Sequence, residues 1–169
     1  FGVRAIPRPD LRNSKVFVGF GAGFLDDGLY HTFMGKGFSA GHSFNSMTGS
    51  RGEFIQFESF LSPTGAKADK RFVIPAGSEL GALLLLIQHL YDKTASKADA
   101  AAVAQAAELL KANQSWLSSA YQSLAVSAED MDAVADKLLN ANSIILAGST
   151  ATMDEQGTAL QLAAIIANQ

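Results

Sequence analysis

The chain contains no cysteine. No disulfide, thiolate nucleophile or cysteine-ligated zinc or iron–sulfur centre can therefore be built from it, and the compartment stays open on that evidence. Charge is sparse: charged residues make up 17% of the 169 positions and the net charge is -3, so no general affinity for nucleic acid is expected. Long hydrophobic runs are missing too. The longest, Gly81 to Ile87, falls far short of the roughly 20 residues that span a bilayer, so direct membrane insertion is not expected. The start, Phe1-Gly2-Val3-Arg4, has neither an initiator Met nor the basic-then-apolar order of a signal peptide; it reads as a piece of a longer protein, or one whose start was removed. No Gly-x-Ser-x-Gly elbow and no P-loop are present, which removes the serine-hydrolase and P-loop readings.

What is present is apolar. Hydrophobic residues are 48% of the chain, enough for a sizeable core. The length suits one domain, or one domain plus part of a second. Charge is divided unevenly. Residues 1–72 carry nine basic and six acidic side chains (+3), and the remainder four basic and ten acidic (-6). A positive excess beside glycine-rich turns is compatible with a phosphate ligand, and equally with ordinary surface variation.

The pattern alternates strand-like and helix-like segments. Pro7 and Pro9 keep the first nine residues in a loop. Lys15-Val16-Phe17-Val18-Gly19 reads as a strand, followed by alternating Gly19, Gly21 and Gly23. Exposed amides at such a turn can hold a phosphate, but the third interval does not match Gly-x-Gly-x-x-Gly, so a nicotinamide site is not favoured. Leu29 to Met34 is expected as a short helix, and the rest of 28–50, with Gly35, Gly37, Gly41 and Gly49 among aromatic anchors, as a long loop. His31 and His42 have no metal-ligand spacing and read as surface hydrogen-bonding residues. Glu53 to Glu58 reads as a second strand, Ser62-Pro63-Thr64-Gly65 as a polar turn, and Arg71 to Ile74 as a short third strand.

Ser78 is placed to cap a strongly apolar helix with Glu79 in its first turn, and His89 reads as a helix-end residue. Thr94 to Gln114 is alanine-rich and helical by propensity, its small residues suggesting tightly packed neighbours. Trp116, Leu117 and Tyr121 suggest a second short helix. Ser127-Ala128-Glu129-Asp130 is a helix start, Ser143 to Ala147 a buried strand leaving through Gly148-Ser149-Thr150, and Glu155 to Ala167 a final helix. The predicted fold class is α/β: a three-layer, mainly parallel Rossmann-like sheet with the start of a second α/β unit. Residues 1–93 form a nucleotide-binding-like lobe, and residues 94–169 a helical connection into the second unit.

Three pieces in order carry a family likeness: Phe57-Glu58, then Thr64-Gly65-Ala66-Lys67-Ala68-Asp69, then Pro75-Ala76-Gly77-Ser78-Glu79. Together with Asp10-Leu11-Arg12-Asn13-Ser14 before the first strand and Phe20-Gly21-Ala22-Gly23 after it, they resemble the molybdopterin oxidoreductase (dimethyl sulfoxide reductase) superfamily. The likeness is sharpest between Lys15 and Leu90. The Thr-Gly-Ala-x-Ala-Asp form looks most like the large iron–sulfur subunit of alternative complex III, a quinol:electron-acceptor oxidoreductase, and the polysulfide-reductase-like group.

The resemblance implies a fragment of an electron-transferring oxidoreductase subunit. This region would form part of the site for bis(molybdopterin guanine dinucleotide), the molybdenum cofactor. Gly21 and Gly23 would approach the nucleotide, Glu58 would accept from ribose hydroxyls, and Gly77, Ser78 and Glu79 would frame the guanine edge. It implies no catalytic and no metal-ligating residue here, iron–sulfur clusters only outside this chain, and other domains of the same subunit, iron–sulfur and membrane-anchor subunits as partners. It also implies a periplasmic or membrane-associated respiratory complex. Three positions depart from the pattern. Gly23 stands where many members have Asn or Asp, Ser59-Phe60 where Pro-Arg usually follows the acid, and Pro75-Ala76-Gly77 holds an extra residue. Three readings follow: a lobe that still binds the dinucleotide, a cofactor-free structural domain of a quinol-oxidising complex, or an unrelated α/β nucleotide-binding module.

Overall fold

A computed structural model describes residues 9–26, 30–47, 49–96, 99–148 and 155–169. In chain order it contains β1 (Val16–Phe20), α1 (His31–His42), β2 (Glu53–Glu58), a 3-10 turn (Gly65–Lys67), β3 (Lys70–Val73), α2 (Glu79–Thr94), α3 (Ala100–Ala112), α4 (Gln114–Leu124), α5 (Ala128–Leu139), β4 (Ser143–Ala147) and α6 (Gly157–Ala167). The loop expected over the first nine residues lies, Pro9 apart, outside the described residues, as do the expected helix start at Leu29 and the Ser149-Thr150 turn.

The four strands form one parallel sheet in the order β3-β2-β1-β4. Register is continuous: Val18 pairs with Ile55 on one side and Ile145 on the other. β1 and β2 are buried almost throughout, which is why they read as near-continuous apolar runs rather than alternating ones. Parallel pairing needs crossovers, and the chain supplies them on both faces. Phe17, Phe54 and Leu146 pack with Leu11, Phe24, Met34 and Phe38 on the α1 side. Val18, Phe20, Ile55, Phe57 and Ile145 pack under α2, α4, α5 and α6 on the other. The result is the three-layer α/β arrangement expected from the sequence. The strand that follows the helical connection joins this same sheet beside β1.

α1 is the main departure. The sequence suggests a short helix ending at Met34 and then a loop; the helix instead runs 12 residues to His42. Its glycines permit close approach. A Cβ on Gly41 would sit 2.7 Å from the Phe17 ring and 2.6 Å from Leu11 O. Glycine lowers helix propensity, but here it lets α1 lie directly on the sheet and the segment before it. Near the N-terminus of α2, Gly81 has the same role. Trp116 of α4 fills the space where its Cβ would be. α3 begins later than expected, because α2 continues to Thr94, and none of its residues is fully buried, so its alanines do not mark tight packing. Among the described residues no helix is long and apolar enough to cross a membrane.

Candidate functional site

In an open parallel sheet, ligands bind outside the carboxyl ends of the strands, where the strand order reverses. That place here is the mouth between β1 and β4, with the β2 and β3 ends beside it. All six residues singled out in the sequence stand along this margin. The structure sets their polar groups as follows.

Gly21 follows β1 with φ 56, and its N–H donates to Phe57 O at 2.7 Å. The N–H of Gly23 donates to Gly148 O at 3.4 Å, and that of Gly148 to Phe20 O at 3.0 Å. The turn thus continues the sheet's own hydrogen bonding toward β2 and β4. Gly19, the first of the three alternating glycines, lies inside β1 opposite Gln56. The Gln56 side chain lies where a Cβ of Gly19 would be, and its Nε2 donates to Ala22 O at 3.1 Å. Its Oε1 is buried without a hydrogen-bond partner, against the Gly19 backbone.

Glu58 ends β2 on the same face as Phe54 and Gln56, and its side chain is 3% exposed. Arg71 Nε donates to Oε1 at 2.6 Å. Ser62 donates to Oε2 through its hydroxyl at 2.6 Å and its N–H at 3.4 Å. The carboxylate occupies the volume that a Cβ on Gly65 would need, and Gly65 N–H closes the turn onto Ser62 Oγ at 2.8 Å. A buried carboxylate must be paired to be tolerated, and the β2–β3 connection is built as that pairing shell.

Gly77, with φ 78, turns the chain from β3 toward α2. Ser78 occupies the N-cap position, but its side chain makes no capping bond; its carbonyl accepts the first intrahelical bond, from Ala82 N–H at 2.9 Å. Glu79 is buried in the first turn of α2. Glu58 and Glu79 therefore share one edge of the sheet, linked through Ile74 N–H on Glu58 O at 3.1 Å. They belong, however, to different faces: Glu58 lies beneath the β2–β3 connection on the α1 side, and Glu79 opens the helix that covers the other side.

Thr64 and Asp69, the ends of the family-like segment, are fasteners. Thr64 Oγ1 donates to Asp26 at 2.5 Å and accepts from Leu25 N–H at 3.2 Å, tying the loop after β1 to the loop after β2. Asp69 accepts from Phe54 N–H at 2.9 Å and His42 at 2.7 Å and pairs with Arg51. Burial works against its charge, but the His42 and Phe54 hydrogen bonds and the nearby His42 and Arg51 charges outweigh it, and its pKa lies below the ordinary carboxylate value. His42 thus ends α1 as a hydrogen-bond partner of Asp69, and its ring also stacks on Phe38 at 4.7 Å.

Sequence reading did not foresee the roles of Gln56, Ser62 and Arg71. The signal was there: Phe54-Ile55-Gln56-Phe57-Glu58 places two polar side chains on one face of a strand too apolar to be exposed, and such groups require partners. His89 was also underread. It bridges Tyr121 of α4 and Asp132 of α5, Nδ1 lying 3.3 Å from Asp132, and Lys93 pairs with Asp132 and Asp136 beside it. Burial, with the charges of Asp132 and Asp92, pushes the Tyr121 phenol pKa up. Among the described residues no group of three or more histidines and carboxylates could hold a metal ion.

A ribose-binding acid needs oxygens directed toward an open site. Glu58 as folded directs both toward Arg71 and Ser62, so it does not fit the ribose contact expected from the resemblance. No family model matches the chain, and no curated protein is significantly similar to it.

Proposed function

We propose that this chain is a cofactor-free α/β lobe serving as a structural domain in a quinol-oxidising respiratory complex related to the molybdopterin oxidoreductases. The observation that carries this reading is the enclosure of the Glu58 carboxylate by Arg71, Ser62 and Gly65. Opening it for a ribose would leave Arg71 and Ser62 without their buried acceptor, a cost of several kcal/mol before any ligand contact forms. The inward donation by Gly21 and Gly23 points the same way, since amides engaged with Phe57 and Gly148 are not free to receive a phosphate. The respiratory assignment rests on the Thr64–Asp69 segment and its flanks, and the partners it brings are other domains of the same subunit and iron–sulfur and membrane-anchor subunits. Phe60, Leu61 and Val73, each more than half exposed at this margin, suit contact with such a neighbour.

The alternative, a lobe retaining the dinucleotide, draws support from Gly77 and the buried Glu79 at the head of α2, a helix start of the kind that receives polar ligands. Measurement of molybdenum, tungsten and oxidised-pterin fluorescence in the full-length protein, purified with its partners, separates the two. The scaffold reading expects trace levels of all three; a stoichiometric pterin would overturn it.

A further inference from the structure

We propose that the outer edge of β4 is a strand-addition site, held shut by Asn168, for an extended, uncharged peptide segment with aliphatic residues at alternate positions. The N–H of Gly148 reaches β1, so by alternation the peptide groups of Ile145 and Ala147 face outward. Asn168, just beyond α6, meets Ile145 twice: Oδ1 accepts from Ile145 N–H at 2.9 Å, and Nδ2 donates to Ile145 O at 2.8 Å. Gln161 Nε2 donates to Ala147 O at 2.5 Å. A side-chain amide has the donor and acceptor of a peptide group. Asn168 therefore stands where one residue of a fifth strand would.

Helix capping alone does not account for this. Asn113 and Asn140 also follow helices, and each returns Nδ2 to the carbonyl four residues back, at 2.8 Å. Asn168 makes that same bond to Ala164 O and then adds both bonds to Ile145.

A groove lies on each side of β4. One, about 410 Å³, is lined by Ser14, Asn142, Ile144 and Ile165; the other, about 200 Å³, by Leu90, Leu138, Leu139 and Ile145. Ile144 packs toward the α1 face and Ile145 toward the opposite face. A strand laid along β4 would drop alternate side chains into the two grooves, matching the period of two. The smaller groove's leucines select an aliphatic side chain. β4 itself, Ser-Ile-Ile-Leu-Ala, carries no charge. Among the described residues, the only charged one lining either groove, Asp10 in the larger one, is paired with Arg12 at 2.8 Å. At the opposite edge, β3 carries the exposed Lys70, a residue type that discourages edge pairing. The sheet is thus guarded by charge on one side and by a displaceable amide on the other.

The test is an NMR titration of the full chain with an acetylated, amidated Thr-Val-Thr-Val-Thr peptide, following the Ile145 amide. Asn168→Ala removes the competing amide and is expected to bind about tenfold tighter than wild type, with shifts centred on Ile145, while Asn140→Ala matches wild type. A peptide with proline at the central position is expected to lose binding, because it cannot pair. If Asn168→Ala unfolds, Asn168→Asp, which keeps the acceptor and loses the donor, is read in its place. No binding by the folded variant, equal affinity for variant and wild type, or indifference to the central proline would each overturn the proposal. So would association of the variant with itself through Ile145, which would make a second copy the occupant.

Discussion

Gly19 and Gln56 face each other across β1 and β2, and the Gln56 side chain lies in the space that a Cβ at residue 19 would fill. The pair explains two oddities at once: a glycine inside a buried strand, and a glutamine with no exposure. Gly19→Ala would bring its methyl to 3.0 Å from Gln56 Cδ and closer still to Oε1. It should destabilise the fold by about 1–3 kcal/mol, as over-packing does. Denaturant titration of Gly19→Ala in wild-type and Gln56→Ala backgrounds checks this; the cost should shrink in the second, where the space is vacated.

Glu58 and Arg71 form a pair whose acid is buried and whose base is partly so. Arg71→Met leaves the carboxylate without its strongest partner and should cost about 3 kcal/mol. Adding Glu58→Gln should recover much of that loss. Chemical denaturation of the two single variants and the double variant measures the coupling; additive losses would mean that the pair does not act as a unit.

Asp69 links stability to acid. Its folded pKa lies below the ordinary carboxylate value, so the folded state binds the proton more weakly than the unfolded chain. The stabilisation is complete above the unfolded value of about 3.9 and is lost as pH falls through the lower folded value. Thermal melting from neutral pH down to about pH 3 should show wild type losing stability at the acid end more steeply than Asp69→Asn, the gap between the two curves narrowing.

Gly81→Ala tests the meeting of α2 and α4. Helix propensity alone would favour alanine by about 1 kcal/mol. The methyl would, however, overlap the Trp116 ring. The expected outcome is a lower melting temperature with altered Trp116 fluorescence, reported cleanly because this is the chain's one tryptophan. A stabilised variant with unchanged fluorescence would contradict the packing described.

The fold was largely legible because buried parallel strands announce themselves. Glu53–Glu58 and Ser143–Ala147 match the expected strands end to end, and Val16–Phe20 and Lys70–Val73 lie one residue away. α5 begins where Ser127 said it would, its hydroxyl accepting from Asp130 N–H at 3.0 Å. α1 was not legible, because Gly35, Gly37 and Gly41 signal a loop locally, while Gly37 and Gly41 serve close contact with Leu11, and Gly41 with Phe17, distant in sequence. The site was legible as a place and not as an arrangement. Spacing puts Gly21, Glu58 and Glu79 at one margin, but only tertiary contacts decide that Glu58 turns toward Arg71 rather than outward.

The margin at the strand ends is filled from within. Guanosine 5′-diphosphate, titrated into the isotopically labelled chain while the amides of Gly21, Gly23, Gly77, Ser78 and Glu79 are followed, tests it most directly. No saturable shift is expected at any of these positions. Saturable binding that moves them together and releases Arg71 from Glu58 would contradict it.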